Sequence, residues 1–355
     1  MADTEPLIRA LEIQAEVCAG FGSAFSAGLL QKAAADLKAG GSVGALFAPW
    51  AGVGTRELFA DAVPLRLLGA LHDLALSGTE GGFAAAYPSS DRPGDIEHAW
   101  LEVEGLIDRQ FAGLAAFMTH EPQTNEVRRS CCLLPGFLVI AKETGLPLRC
   151  LELGASAGLN QLWDRYRYDL GAAGTWGPTA SAVVLDTEWR GAAPPLDMAA
   201  PVIERGACDR KPVDLEDPIA RRRLKAYIWA DQRERLARLA AAIDACRAAE
   251  VKVETEDAVT WVGRTGEPRA SGATVIFHSV FFQYLPAASQ TALVKAIAAR
   301  GAAARNGAPL AWLRMEPPQD NLAGMELRLT LWPGGEERIL ANVHPHGAWV
   351  EWLAG

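Results

Sequence analysis

The chain has 355 residues, half of them hydrophobic and 22% charged, with a formal net charge of −9. That length suits one large domain with an extension, or two domains, and the sign of the charge excludes a general nucleic-acid binder, whose phosphate contacts need clustered Lys and Arg. Six scattered cysteines without a C-x-x-C pair read as reduced thiols of a cytoplasmic protein.

In chain order, the start Met-Ala-Asp-Thr-Glu-Pro is acidic where a signal peptide is basic, and no apolar run of about 20 residues comes after it, so no membrane partner is expected. Residues 1–145 read as a helical subdomain or cap. The clearest helix runs from Asp95 to Met118, with Ile96, Trp100, Val103, Ile107, Phe111, Leu114 and Phe117 drawing one apolar stripe. Stretches around Leu7–Lys38 and Arg56–Ser77 read as helical too, with loops at Gly40–Gly44 and Pro88–Gly94. This region is expected to cover the strand ends of the C-terminal region and to help form an acceptor pocket.

From residue 146 to 355 the texture changes. Short apolar runs at Leu148–Leu153, Pro201–Gly206, Val251–Thr255, Thr274–Phe277 and Leu310–Met315 predict buried parallel strands. Helices lie between them. One is predicted to start at an Asp231 N-cap with Glu234 as capping-box partner, and the densest basic run, Arg221–Arg223, reads as a solvated helix face. Alternating strands and helices imply an α/β fold with helices on both sheet faces. Glu326–Trp332, the Pro333-Gly334-Gly335 turn and Arg338–Val343 predict an antiparallel hairpin that closes the sheet. Residues 166–200, rich in Gly, Pro and Trp, read as an insertion with a β-hairpin around Ala182–Trp189.

The chemical signal is the segment Leu151-Glu152-Leu153-Gly154-Ala155-Ser156-Ala157-Gly158-Leu159-Asn160. A strand ends, a small-residue loop turns at Gly154, and a helix is expected from Gly158. Ligands of α/β sheets bind at such strand ends. The dinucleotide pattern G-x-G-x-x-G fails, because positions 152 and 157 are Glu and Ala. A carboxylate there repels a pyrophosphate and suits a ligand with an ammonium or sulfonium group.

Leu151–Asn160 resembles motif I of class I S-adenosylmethionine-dependent methyltransferases, and the resemblance extends over about Leu148–Trp352. With Gln123–Glu126, Leu148–Asp169, Gly206–Asp214, Tyr227–Leu236 and His278–Pro286, the chain is also similar to an uncharacterised bacterial family that carries a methyltransferase-like core behind a helical N-terminal region. The resemblance implies a Rossmann-like sheet and S-adenosylmethionine as cofactor. It implies cofactor contacts from Glu152, Gly154, Ala155, Ser156, Gly158 and Asn160, a ribose-binding acid at Asp209 with Asp186 as rival, an adenine contact at Asp257 and Ala258, and His278 and Ser279 beside the methyl donor. Arg129 is a candidate for the methionine carboxylate. His278, Tyr284 and Glu316 are the catalytic candidates, with Phe281 or Phe282 packing against the donor.

Each candidate has a plainer alternative. Glu152 caps its loop, Asp209 makes an Asx turn before Lys211-Pro212, Asp257 is an N-cap, and His278 and Tyr284 are core residues. Arg128 and Arg129 begin a surface helix in the same plain sense. His344-Pro345-His346 puts two imidazoles on one strand face but supplies no third ligand, so no metal is expected. The expected activity is methyl transfer to a small-molecule or protein acceptor. The alternatives are a nicotinamide-dependent oxidoreductase and a non-catalytic binding or interaction module that keeps the fold.

Overall fold

The structure is a computed structural model that describes residues 4–88, 92–318 and 324–354. The helices are α1 (Glu5–Gly20), α2 (Ala24–Ala39), α3 (Thr55–Ala60), α4 (Val63–Ser77), α5 (Gly81–Ala86), α6 (Ile96–Met118), α7 (Ser130–Thr144), α8 (Pro218–Ala226), α9 (Arg233–Ala248), α10 (Ala258–Thr265) and α11 (Ala287–Ala302). The strands are β1 (Leu148–Leu153), β2 (Arg167–Asp169), β3 (Thr175–Trp176), β4 (Val184–Asp186), β5 (Glu188–Arg190), β6 (Val202–Asp209), β7 (Glu254–Thr255), β8 (Ala273–Ser279), β9 (Leu310–Glu316), β10 (Met325–Trp332), β11 (Glu336–Val343) and β12 (Trp349–Trp352). The chain divides into two compact units, Met1–Thr124 with Glu216–Ala240, and Asn125–Leu215 with Ala241–Gly355.

The first unit is helical. Asp95 caps α6 by accepting from the His98 amide, and Ala99, Val103, Leu106, Ile107, Leu114, Phe117 and Met118 form its buried stripe. Phe111, expected in that stripe, is 42% exposed: the helix has 3.6 residues per turn, so a stripe drifts along 23 residues and Leu106 and Met118 take the core positions instead. Asp231 does not serve α9 as expected. Its carboxylate accepts from Ser23 Oγ at 2.5 Å and the Phe25 amide at 2.9 Å, and so satisfies the open N-terminus of α2. In the basic run, Arg222 makes a two-pronged bond to Asp73 at 2.9 and 3.1 Å rather than facing only water. Residues 89–91 of the loop expected at Pro88–Gly94 lie outside the described residues, as do the first three residues of the chain.

The second unit is α/β. Its large, mostly parallel sheet has the order β5-β12-β11-β10-β9-β8-β1-β6-β7. The pairs β1–β6, β1–β8, β8–β9, β6–β7 and β12–β5 are parallel, while β9 to β12 form an antiparallel group that contains the expected hairpin. Every residue of β1 is buried, as a central strand with helices on both faces requires, including the charged Arg149 and Glu152. Residues 130–144, grouped with the N-terminal helices on sequence, form α7, which packs on β9 and β10 in this unit. On the other face Trp261, Val262, Leu293 and Ile297 of α10 and α11 pack on Leu151, Ile276, Leu310 and Trp312.

Gly136 sets the closeness of α7 to the sheet, because a Cβ there would stand 2.4 Å from Leu313 Cδ1. Gly136→Val is expected to lose about 1–3 kcal/mol through overpacking, read as a lower urea midpoint with an unchanged slope.

Two local expectations change. The hairpin at Ala182–Trp189 does not form: β4 pairs parallel with β2 in a separate three-stranded sheet, and β5 pairs with β12. Arg128 holds the Asp186 carbonyl at 2.7 Å and its carboxylate at 2.6 Å, which fixes the chain where it leaves β4. The helix expected from Gly158 is instead a seven-residue 3-10 turn, Leu159–Arg165. Side chains take the carbonyls that an α-helix would bond internally: Tyr166 and Tyr168 hydroxyls donate to Leu159 O and Trp163 O, and Arg205 donates to Gln161 O. Among the described residues, no helix is long and apolar enough to cross a membrane.

Candidate functional site

Strand order reverses at β1. From β1 the chain moves outward to β6 and β7 on one side, and β8 and β9 lie on the other. Open α/β sheets bind ligands in the crevice beyond such a switch point. The C-terminal ends of β1, β6, β8 and β9 bring Glu152, Asp209, His278 with Ser279, and Glu316 to this end of the sheet.

The bend after β1 is left-handed at Gly154 (φ 63°), Ser156 (φ 53°) and Gly158 (φ 74°). Neighbours hold it in place. Ala155, fully buried, donates its amide to Cys208 O at 3.1 Å, and the Ser156 amide donates to Asp209 Oδ2 at 2.9 Å. Leu159 N donates to Asn125 Oδ1 at 2.9 Å. Gly158 is required by packing, since a Cβ there would meet Val251 and Val253 at 2.9 and 3.0 Å. At Gly154 the corresponding space is filled by the Phe281 ring, 2.1 Å from the Cβ position.

Glu152 is buried, and its Oε2 accepts from Gln161 Nε2 at 3.1 Å. Burial pushes its carboxyl up to about 8; the Gln161 bond opposes this and the Asp209 charge adds to it. The acid after β6 is Asp209, whereas Asp186 belongs to the separate small sheet. Asp209 uses both oxygens on backbone, accepting from Ser156 N at 2.9 Å and Lys211 N at 2.8 Å. Asp257 caps α10 through the amides of Val259 and Thr260, and Ala258 packs in the core beneath it. Asn160 is buried and accepts from Ser130 Oγ at 2.8 Å, and Arg129 Nε donates to Pro345 O at 3.0 Å.

His278 is fully buried and both ring nitrogens are engaged. Nδ1 lies 2.7 Å from Glu316 Oε1, and Nε2 lies 3.1 Å from the Trp312 indole nitrogen. Indole only donates, so Nε2 accepts and the proton sits on Nδ1, an assignment made from the partners. Glu316 Oε1 also accepts from the amides of Phe281 at 2.8 Å and Phe282 at 3.0 Å. Burial alone would raise the Glu316 carboxyl, but the His278 bond and the two amides hold it below the usual range. Ser279 is half-buried at the end of β8, and Tyr284, on the same loop, is 75% exposed. His344 and His346 sit in the turn between β11 and β12 rather than on a strand face, because the His346 amide folds back onto His344 Nδ1 at 3.0 Å.

Among the described residues, three buried polar atoms here have no hydrogen-bond partner: Ser156 Oγ, Gln161 Oε1 and Glu316 Oε2. Gln161 and Trp312 carry site contacts that no motif predicts. The signal for Gln161 was an amide next to Asn160 in the otherwise apolar stretch Leu159–Trp163.

A family model described as "Uncharacterized protein conserved in bacteria (DUF2332)" matches residues 9–352. The chain belongs to that family. No curated protein and no solved structure matches it. The DUF2332 match spans both units, so the helical residues and the sheet are parts of one family pattern.

Proposed function

We propose that this DUF2332 member binds S-adenosylmethionine at the β1/β8 switch point, on a Rossmann-like methyltransferase sheet, and catalyses methyl transfer to a small-molecule or protein acceptor. The observation that carries the reading is Glu152, a buried carboxyl closing β1 beside a left-handed bend, with Asp209 close enough to act on its charge. A buried acid with one amide partner calls for a cation, and the orphaned Ser156 Oγ and Gln161 Oε1 call for polar ligand groups. Bound there, S-adenosylmethionine would supply a methyl group activated by its sulfonium.

The nicotinamide alternative is disfavoured on the same ground. Pyrophosphate sites rest on loop amides aimed from a helix N-terminus, whereas this bend leads into a short 3-10 turn and faces two carboxyls. Displacement at the methyl carbon mainly needs alignment and exclusion of water. In this reading Glu152 holds the positive charge, while His278 and Glu316 position the loop after β8 and move no acceptor proton. Tyr284, exposed on that loop, contacts the acceptor.

Titration calorimetry with S-adenosylmethionine, S-adenosylhomocysteine and NADH tests this. The methyl donor should bind and NADH should not. Because the ligand's charge displaces the Glu152 proton, affinity should rise between pH 6 and 8 by up to about tenfold per unit. Binding of NADH without binding of the donor would overturn the reading. A second reading, ligand binding without turnover, is favoured by His278 having no free nitrogen; binding without methyl consumption on any acceptor would select it.

A further inference from the structure

We propose that the Phe281 ring is a movable stopper seated on the glycine bend, and that a cationic nucleoside enters by displacing this ring while the loop that carries it stays anchored. The ligand class rests on the methyl-donor reading above; the stopper itself rests on packing.

The loop after β8 is held at both ends. On the near side, Val280 N donates to Met315 O at 2.9 Å, and Glu316 Oε1 takes the amides of Phe281 and Phe282. On the far side, Gln290 Nε2 donates to the carbonyls of Phe282 and Leu285, both at 3.1 Å. Val280 is β-branched yet adopts φ 53°, a conformation that persists only where the surroundings over-determine it. The backbone is therefore clamped.

The two phenylalanine rings on this clamped backbone differ. Phe282 stacks on His278 at 6.0 Å and 16° and meets Trp312 edge-on at 6.5 Å, so it is part of the support. Phe281 also meets the His278 ring, edge-on at 5.5 Å and 68°, but it is the ring that sits on Gly154, where three of its carbons lie 2.1 to 2.9 Å from the place a Cβ would take. It is half-buried and packs at the border of the core cluster. A ring in that position can rotate about its own side-chain bonds without breaking a backbone hydrogen bond. Residue 154 is then glycine for two reasons that act together: its φ of 63° and the seat for this ring.

The test has two arms. In the first, stopped-flow and calorimetric binding of S-adenosylmethionine are compared for the wild-type chain and Phe281→Ala. Removing a stopper should speed association about tenfold or more and tighten binding. Unchanged or weaker binding would mean that the ring is a spectator or a platform for the ligand, and would overturn the proposal. The second arm uses no ligand. Gly154→Ala is made in the wild-type and Phe281→Ala backgrounds, and the urea midpoints are compared. The seat requires the loss to be smaller when the ring is absent; an equal loss in both backgrounds overturns the proposal. If neither form binds the methyl donor but the second arm shows relief, the methyl-donor reading falls and the stopper stands.

Discussion

Glu316→Ala should cost about 3–5 kcal/mol of folding stability, the largest single loss expected in the second unit. One carboxylate oxygen accepts from the His278 ring and from the amides of Phe281 and Phe282. Alanine would leave three buried or half-buried donors without an acceptor, each worth about 1–3 kcal/mol when orphaned. A urea titration at neutral pH would show the loss, and a midpoint shift no larger than that of a surface substitution would refute the clamp. The sign of the pH dependence is also fixed. The folded carboxyl is held below the ordinary range, so its contribution is present above pH 4.5 and is lost as pH falls below it. The gap between Glu316→Ala and the wild type should therefore narrow in acid.

Glu152→Gln should act in the opposite sense on stability while damaging binding. The folded carboxyl keeps its proton up to about pH 8, whereas the unfolded one loses it near 4.5. Stability is then greatest below 4.5 and falls as pH rises toward 8, by up to about 1.4 kcal/mol per unit. The glutamine variant lacks that slope and should be the more stable protein at pH 8. Its affinity for S-adenosylmethionine should drop by about 30-fold or more, the usual result of deleting one partner of a desolvated charge pair. Parallel thermal melts and calorimetry at pH 5, 6.5 and 8 would test both halves. A variant that binds as tightly as the wild type would remove Glu152 from the site.

Much of the sheet was legible in the sequence because its strands are apolar runs cut by Gly and Pro. Leu148–Leu153 coincides with β1, and the segments around Thr274 and Leu310 fall within β8 and β9. The signal failed where tertiary contacts decide. Val251–Thr255 reads as a strand, but only Glu254 and Thr255 pair, because β7 meets β6 only at Cys208 and Asp209. The turn after Gly158 depends on tyrosine hydroxyls and Arg205, and no local pattern encodes those bonds. The candidate site divides in the same way. Glu152 and its bend stand in one continuous segment, while the His278–Glu316 bond joins residues 38 apart in sequence and is visible only once β8 and β9 are known to be neighbours.

The nine-stranded sheet tapers. Its central strands have six to eight residues, whereas the outermost ones, β7 and β5, have two and three. An open flank of unpaired backbone amides and carbonyls is a template for stacking against another molecule, and the hazard grows with the length of that flank. Here the short strands β7 and β12 cover only part of their neighbours, and the stretches of β6 and β11 that they leave open carry charge: Glu204 and Arg205 on β6, and Glu336, Glu337 and Arg338 on β11. Within the sheet unit, brevity of the outer strands and charges on them, Glu188 and Arg190 on β5 and Glu254 on β7, act together against fibril-like self-association.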